Sequence, residues 1–289
     1  MSTIRLILAI AVITCSGCTQ VTKGAELKPE SKPNPFAYDG RVALEPIVGE
    51  PARKSGYLEF KFSIQGADGR VPGVLTVPRD ENEKPPVILL LHGMGGKKED
   101  LTAVAAMAAA AGYATVAIDA PMHGERAVSG KAILDPDPIV TRKHWVQAIV
   151  DWRRTIDFLE TRTDVDSNRI VLLGASMGGM MGSLLAGTDE RVDAAALLIA
   201  GGDWKALFRE SEHDSVRVLD GQDPAAVEAL VDRHMKDIDP VEWVGRISPR
   251  PVLFVNGTKD TIIPKASAEA LINAAKEPKE VIWDPVAHT

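Results

Sequence analysis

The sequence predicts an α/β domain: a mostly parallel central sheet with helices on both faces and a small cap insertion. Three observations carry the prediction. Strand and helix signals alternate from about residue 86 onward. The strand signals are continuous apolar runs, such as Pro86-Val87-Ile88-Leu89-Leu90-Leu91, as expected where a sheet is covered on both faces. Two of these runs end in glycine-rich turns, His92-Gly93-Met94-Gly95-Gly96 and Gly174-Ala175-Ser176-Met177-Gly178.

Residues 1–17 read as a signal peptide. Arg5 supplies a positive start, and the apolar run Leu6 to Ile13 is too short to span a bilayer comfortably. The following Cys15-Ser16-Gly17-Cys18 resembles the lipobox of bacterial lipoproteins, with Cys15 where that family usually has leucine. The resemblance implies lipidation of Cys18 and a membrane anchor; a plain secretory signal is the alternative. An exported protein of the cell envelope is expected, in the periplasm or at the outer membrane. Thr19 offers no aspartate-type inner-membrane retention signal, which favours the outer membrane. Residues 18–38 are polar and proline-rich and read as a tether, leaving 39–289 for the domain. Both cysteines precede the domain, which excludes a disulfide or a cysteine nucleophile within it. The net charge of -7, with no basic cluster, argues against a nucleic-acid partner.

In the domain, Tyr57 to Ile64 alternates as a half-buried strand does. Gly66-Ala67-Asp68-Gly69 signals a turn, and Val71 to Val77 returns as the second strand of a hairpin. After the Pro86–Leu91 strand come an alanine-rich helix from Leu101 to Ala111 and a strand from Ala114 to Asp119. An amphipathic helix from His144 to Glu160 carries Trp145, Ile149, Trp152, Ile156 and Leu159 as core residues. The strand leading to Ser176 follows, then a strand from Val192 to Ala200. Between about 202 and 247 the pattern is irregular, with charged helical pieces at Asp203 to Glu210 and Ala225 to Met235. This is the expected cap. Pro251 to Asn256 and Glu280 to Trp283 are the last strands, with a helix from Pro264 to Ala275 between them.

G-x-S-x-G after a strand has a mechanical reading. The chain turns sharply from strand to helix and holds Ser176 strained, with its hydroxyl exposed at the sheet edge. Acyl transfer creates a negative oxygen that needs donors placed in advance. The Met94 and Met177 main-chain N–H groups are the candidate oxyanion donors. His92 orients the Met94 loop, His123 braces the neighbouring one, and both are expected near the substrate pocket. Trp204, with Phe208 and Trp243, is a candidate for lining the cap side of that pocket or for packing beneath it. Ser176, Asp260 and His288 each fall just after a strand, so all three open on the same edge. Asp203, also after a strand, is the runner-up acid.

The order Ser176, Asp260, His288, with G-x-S-x-G and the upstream H-G-x-G-G, resembles the α/β-hydrolase superfamily over roughly residues 57–289. The chain looks similar to its serine esterases related to the dienelactone-hydrolase and acetyl-xylan-esterase groups. Dienelactone hydrolase itself uses cysteine, so its particular reaction is not implied. Gly257-Thr258-Lys259-Asp260-Thr261-Ile262-Ile263-Pro264 looks like the superfamily's acid loop. Of six histidines only His288 follows Asp260, as the superfamily's order requires. A closing helix usual after that histidine has no counterpart before Thr289.

The resemblance implies a serine hydrolase that cleaves carboxylic esters of small to medium acyl groups through an acyl-enzyme on Ser176, with a small-molecule ester as partner. Neither a metal nor an organic cofactor is called for. A prolyl-oligopeptidase-type peptidase and a non-catalytic, lipid-anchored binding protein are the alternatives. Acyl preference and oligomeric state are left open.

Overall fold

The computed structural model describes residues 34–79, 84–217 and 221–288. The expected signal peptide, with Cys15, Cys18 and Thr19, and most of the expected tether lie outside them. Among the described residues, no helix is long and apolar enough to cross a membrane.

The chain opens with two short edge strands, β1 (Ile47–Val48) and β2 (Ala52–Arg53), and the hairpin β3 (Tyr57–Gln65) and β4 (Arg70–Pro78). Then come β5 (Pro86–Leu91), α1 (Thr102–Ala110), β6 (Ala114–Ile118), α2 (Pro138–Glu160), β7 (Asp166–Ala175), α3 (Met177–Thr188) and β8 (Val192–Leu198). Among the described residues the cap region holds four short helices, α4 (Trp204–Glu210), α5 (Asp214–Arg217), α6 (Pro224–His234) and α7 (Pro240–Trp243). The chain ends with β9 (Val252–Gly257), α8 (Lys265–Ala274) and β10 (Lys279–Asp284). The strands form one sheet in the order β1-β3-β4-β6-β5-β7-β8-β9-β10, with β2 also on β3. From β6 to β10 every pairing is parallel, whereas β4 joins β6 antiparallel.

Alternation along β5 explains why its sequence is apolar at every position. Val87, Leu89 and Leu91 belong to the larger core, beneath α2, α3 and α8. Ile88 and Leu90 belong to a smaller core on the opposite face, covered by Ala105 and Ala108 of α1. Chain order reverses on either side of β5, with β6 to one side and β7 to the other. Such a switch opens a crevice at the carboxyl ends of the strands.

Two boundaries differ from expectation. Helix α2 starts six residues before His144, because Asp137 caps it: its Oδ1 accepts the Ile139 N–H at 2.8 Å, and Pro138 stands in the first turn. Residues 34–38, assigned to the tether, pack on the domain. Phe36 is fully buried edge-on against Trp243, with ring centroids 5.0 Å apart. Arg153 Nη1 donates to the Phe36 carbonyl at 2.8 Å, and the Tyr38 hydroxyl donates to Asp157 at 2.9 Å. These two aromatics have large apolar surfaces to bury.

Candidate active site

Ser176 sits at the junction of β7 and α3 with φ 55° and ψ -122°, a conformation uncommon for any residue but glycine. Such strain costs about 1–3 kcal/mol and persists only where the surroundings enforce it. Here the Ser176 N–H donates to the Leu198 carbonyl of β8 at 2.9 Å, while the Gly179 N–H donates to the Ser176 carbonyl at 2.9 Å. The glycines of the motif are required by close approach. A Cβ on Gly174 would lie 2.2 Å from the Gly178 carbonyl oxygen, and one on Gly178 would lie 2.2 Å from the Leu91 carbonyl oxygen of β5. The turn is thus clamped between three backbone segments.

Asp260 follows β9 and His288 follows β10. Asp260 Oδ1 accepts the Ile262 and Ile263 N–H groups at 2.9 and 2.8 Å, which leaves Oδ2 facing His288 Nδ1 at 2.7 Å. His288 Nε2 lies 2.9 Å from Ser176 Oγ. A carboxylate can only accept, so Nδ1 carries the ring proton, Nε2 is the free lone pair, and the serine hydroxyl donates to it. The Asp260 side chain is 3% exposed and that of His288 19%, so the pair is shielded at the acid and open at the serine end. The two loops are stitched together. The Thr258 N–H donates to the Asp284 carbonyl at 2.7 Å and the Lys259 N–H to the Val286 carbonyl at 3.1 Å. A Cβ on Gly257 would sit 2.5 Å from that Val286 oxygen. Asp203, the runner-up acid, is occupied elsewhere: it caps α4, its side chain accepting from the Lys205 and Ala206 N–H groups.

The Met94 segment runs beside the serine, since a Cβ on Gly93 would be 3.6 Å from Ser176 Cβ. Met177 is the first residue of α3, where a main-chain N–H has no intrahelical acceptor and the helix end is positive. His92 braces this segment. The Ala120 N–H donates to its Nε2 at 3.1 Å, so Nδ1 carries the proton and donates to the Gly93 carbonyl at 2.9 Å. His123 Nδ1 donates in the same manner to the Pro121 carbonyl at 2.8 Å. The two rings face each other at 5.1 Å, and both are almost completely buried. Burial holds both below the ordinary histidine value; for His92 the bond to Gly93 opposes the shift and His123 adds to it. They shape the loops around the site rather than offering it a surface.

Trp204 is corrected from pocket wall to core. It is 1% exposed, meeting Trp145 edge-on at 4.7 Å and stacking on Phe208 at 5.6 Å. Its size and apolarity are served by packing between α2 and α4. Trp243 is likewise buried, whereas Phe208 does line an open cleft with Leu134, Pro138, Val227 and Leu230. That cleft lies between α2 and the cap helices, and neither Ser176, Asp260 nor His288 is among its walls.

Buried charges behind the loops escaped the sequence reading. Lys98 Nζ donates to Asp119 Oδ2 at 2.7 Å and to Glu125 Oε1 at 2.6 Å. Arg126 Nη1 donates to the Asp119 carbonyl at 3.0 Å and pairs with the buried Asp151 at 2.8 Å. The available signal was an aspartate ending a mostly apolar strand, Ala114 to Asp119. A charge there needs a partner. Among the described residues, no group of three or more histidines, cysteines or carboxylates could hold a metal ion.

Fold and residue order together define the class as an α/β hydrolase. Residues 88–288 match the Alpha/beta hydrolase family, and the chain belongs to it. The uncharacterized protein YfhR of Salmonella typhi is 34% identical over 137 residues, covering 47% of this chain and 45% of its own length, so the match spans under half of that relative. "Putative esterase NocK" of Nocardia uniformis subsp. tsuyamanensis is 30% identical over 287 residues, 91% of this chain and 75% of its own. In fold, the chain is similar to an acetyl xylan esterase from Paenibacillus sp. R4, with a TM-score of 0.74 at 21% identity over 99% of this chain and 88% of that one.

Proposed function

We propose that the chain is a serine-dependent carboxylic-ester hydrolase acting on small to medium acyl groups. The observation that carries the reading is the relay in which Asp260 accepts from His288 Nδ1 at 2.7 Å while His288 Nε2 faces Ser176 Oγ at 2.9 Å. The similarity to NocK, named as an esterase, supports the ester class. In the proposed reaction Ser176 Oγ attacks the acyl carbon and its proton passes to His288 Nε2. Asp260 keeps the ring in the tautomer that can receive that proton and stabilises the resulting cation. The Met94 and Met177 N–H groups hold the negative oxygen of the tetrahedral intermediate. His288 then hands its proton to the leaving alkoxide. Water, deprotonated by the same nitrogen, releases the acid and restores the serine.

The test is fluorophosphonate labelling of the purified protein with peptide mapping, beside p-nitrophenyl acetate turnover and a Ser176→Ala control. Label on Ser176 is expected, with kcat falling by about 10⁴-fold or more in the control. A wild-type protein that neither labels nor turns over would favour a binding protein. Cleavage of peptides over esters would move the reading to a peptidase.

A further inference from the structure

The segment that carries Met94 has little of its own to hold it. Three of its residues, Gly93, Gly95 and Gly96, have no side chain, and the Gly93 carbonyl accepts from the Gly96 N–H at 3.1 Å and from His92 Nδ1 at 2.9 Å. The Met94 side chain packs against the larger core, and two ties to the loop after β6 fix the segment's ends. At the start, the Ala120 N–H donates to His92 Nε2 at 3.1 Å. At the end, Lys98 grips Asp119 twice: its main-chain N–H donates to Oδ1 at 3.0 Å and its Nζ to Oδ2 at 2.7 Å. Lys98 is 3% exposed and Asp119 fully buried, and Glu99 and Glu125 close the remaining sides of the ammonium at 2.9 and 2.6 Å. Asp119 is fixed in turn by the Glu125 N–H, which donates to Oδ2 at 2.9 Å. Burial alone would lower the Lys98 ammonium and raise the Asp119 carboxyl. Their bonds to each other and to the neighbouring groups outweigh it, so both stay charged.

A buried ion pair is a poor source of stability, because desolvation offsets most of its attraction and apolar residues of similar volume often serve as well. What such a pair supplies well is a fixed distance between two loops. We propose that Lys98 and Asp119 are positioning residues that set the Met94 N–H against the oxygen developing on the acyl group at Ser176. The inference rests on the ester-hydrolase reading, and neither residue touches substrate in it. A misplacement of about 1 Å in such a donor costs on the order of 10²-fold in rate. The loss falls on kcat, because the donor acts on the transition state more than on bound ester.

Three variants test it: Lys98→Met, the double variant Lys98→Met/Asp119→Asn, and Lys98→Arg. The single variant strands a buried carboxylate and is expected to lose thermal stability. The double variant removes that carboxylate and regains the thermal midpoint, and Lys98→Arg keeps a cation among the three carboxylates and so keeps the fold. A planar guanidinium does not put a donor where Nζ sits. For p-nitrophenyl acetate, kcat is expected to fall about 10²-fold in every folded member of the set, with KM within about threefold. Phosphonylation of Ser176 by the fluorophosphonate is expected to slow in parallel. A purely structural pair predicts instead that the double variant, its midpoint regained, recovers wild-type kcat; that result, or wild-type kcat in Lys98→Arg, overturns the proposal. Wild-type turnover, lost in Ser176→Ala, is measured on the same preparation. Its absence overturns the hydrolase reading and this inference together, whereas its presence beside unimpaired variants overturns this inference alone.

Discussion

A methyl added at Gly178 would lie 2.2 Å from the Leu91 carbonyl oxygen, where backbone presses on backbone. Phe208 in the cap is only half-buried, stacked on Trp204 and facing an open cleft. The two positions stand for two modes of construction. At the carboxyl edge of the sheet, geometry is set by main-chain contacts and by strain. Of the five non-glycine residues with positive φ among the described residues, Met122, Ser176, Ile199 and Asp203 follow β6, β7 or β8. In the cap, short helices are started by single aspartates, Asp203 before α4, Asp223 before α6 and Asp239 before α7, and side chains fill the space between them. The first mode tolerates almost no change in volume; the second absorbs it. Substitutions are therefore expected to be unforgiving at the edge and better tolerated in the cap.

The sharpest break in this contrast comes from one atom at the edge. In Asp260→Asn the side-chain oxygen still accepts the Ile262 and Ile263 N–H groups that Oδ1 accepts now. The amide nitrogen then faces His288 Nδ1 and donates to it. That forces the proton onto Nε2, and the ring no longer accepts from Ser176. A loss of about 10⁴-fold in kcat is expected, with little change in thermal midpoint, because packing and hydrogen-bond count are kept. Steady-state kinetics beside a melting curve check it. A variant within tenfold of wild type would remove Asp260 from the relay.

Phe208→Ala should do the reverse. Truncating a half-buried phenyl ring costs about 2 kcal/mol, below the 3–5 of a fully buried one. It is expected to leave kcat for p-nitrophenyl acetate within about threefold, since Ser176, Asp260 and His288 are held by the sheet edge. The cap is not isolated, however. Ser211 Oγ donates to the Ile262 carbonyl at 2.7 Å and the Glu212 N–H to the Thr261 carbonyl at 2.9 Å, so the residues just past α4 are fastened to the acid loop. A large fall in kcat in Phe208→Ala would mean that this fastening transmits strain, and the two regions would then be one unit.

The same contrast explains what could be read in advance. The strand runs and the G-x-S-x-G turn were legible because their causes are local: period-two burial on two faces, and glycines where backbones touch. The side chains of Ser176, Asp260 and His288 were each placed by the strand before them, and the structure brings the three together. What failed to show is what depends on partners far along the chain. Trp204 has the composition of a pocket wall and becomes core only because Trp145, on another helix, lies against it. Phe36 sits in a polar stretch, and its partner Trp243 comes more than two hundred residues later. Lys98 and Asp119 carry no periodic signal at all, and the two edge strands of two residues each are too short to have one.

The smallest expected effect concerns the histidines that brace the edge. His92 and His123 are held below the ordinary histidine value in the fold, burial being the main cause. The unfolded chain therefore takes up protons near pH 6.5 that the folded one refuses. Their contribution to stability is complete above that value and is lost as pH falls below it, by at most about 1.4 kcal/mol per pH unit for each ring. Thermal midpoints are expected to be level from pH 8 to 7 and to decline towards pH 5. His123→Asn, which keeps a donor for the Pro121 carbonyl without a titrating ring, should flatten that decline. Phe208→Ala should lower the whole curve without changing its slope, since no histidine moves with it. A His123→Asn protein with the wild-type slope would mean that the proton taken up on unfolding belongs elsewhere, and that the edge is tuned by shape alone.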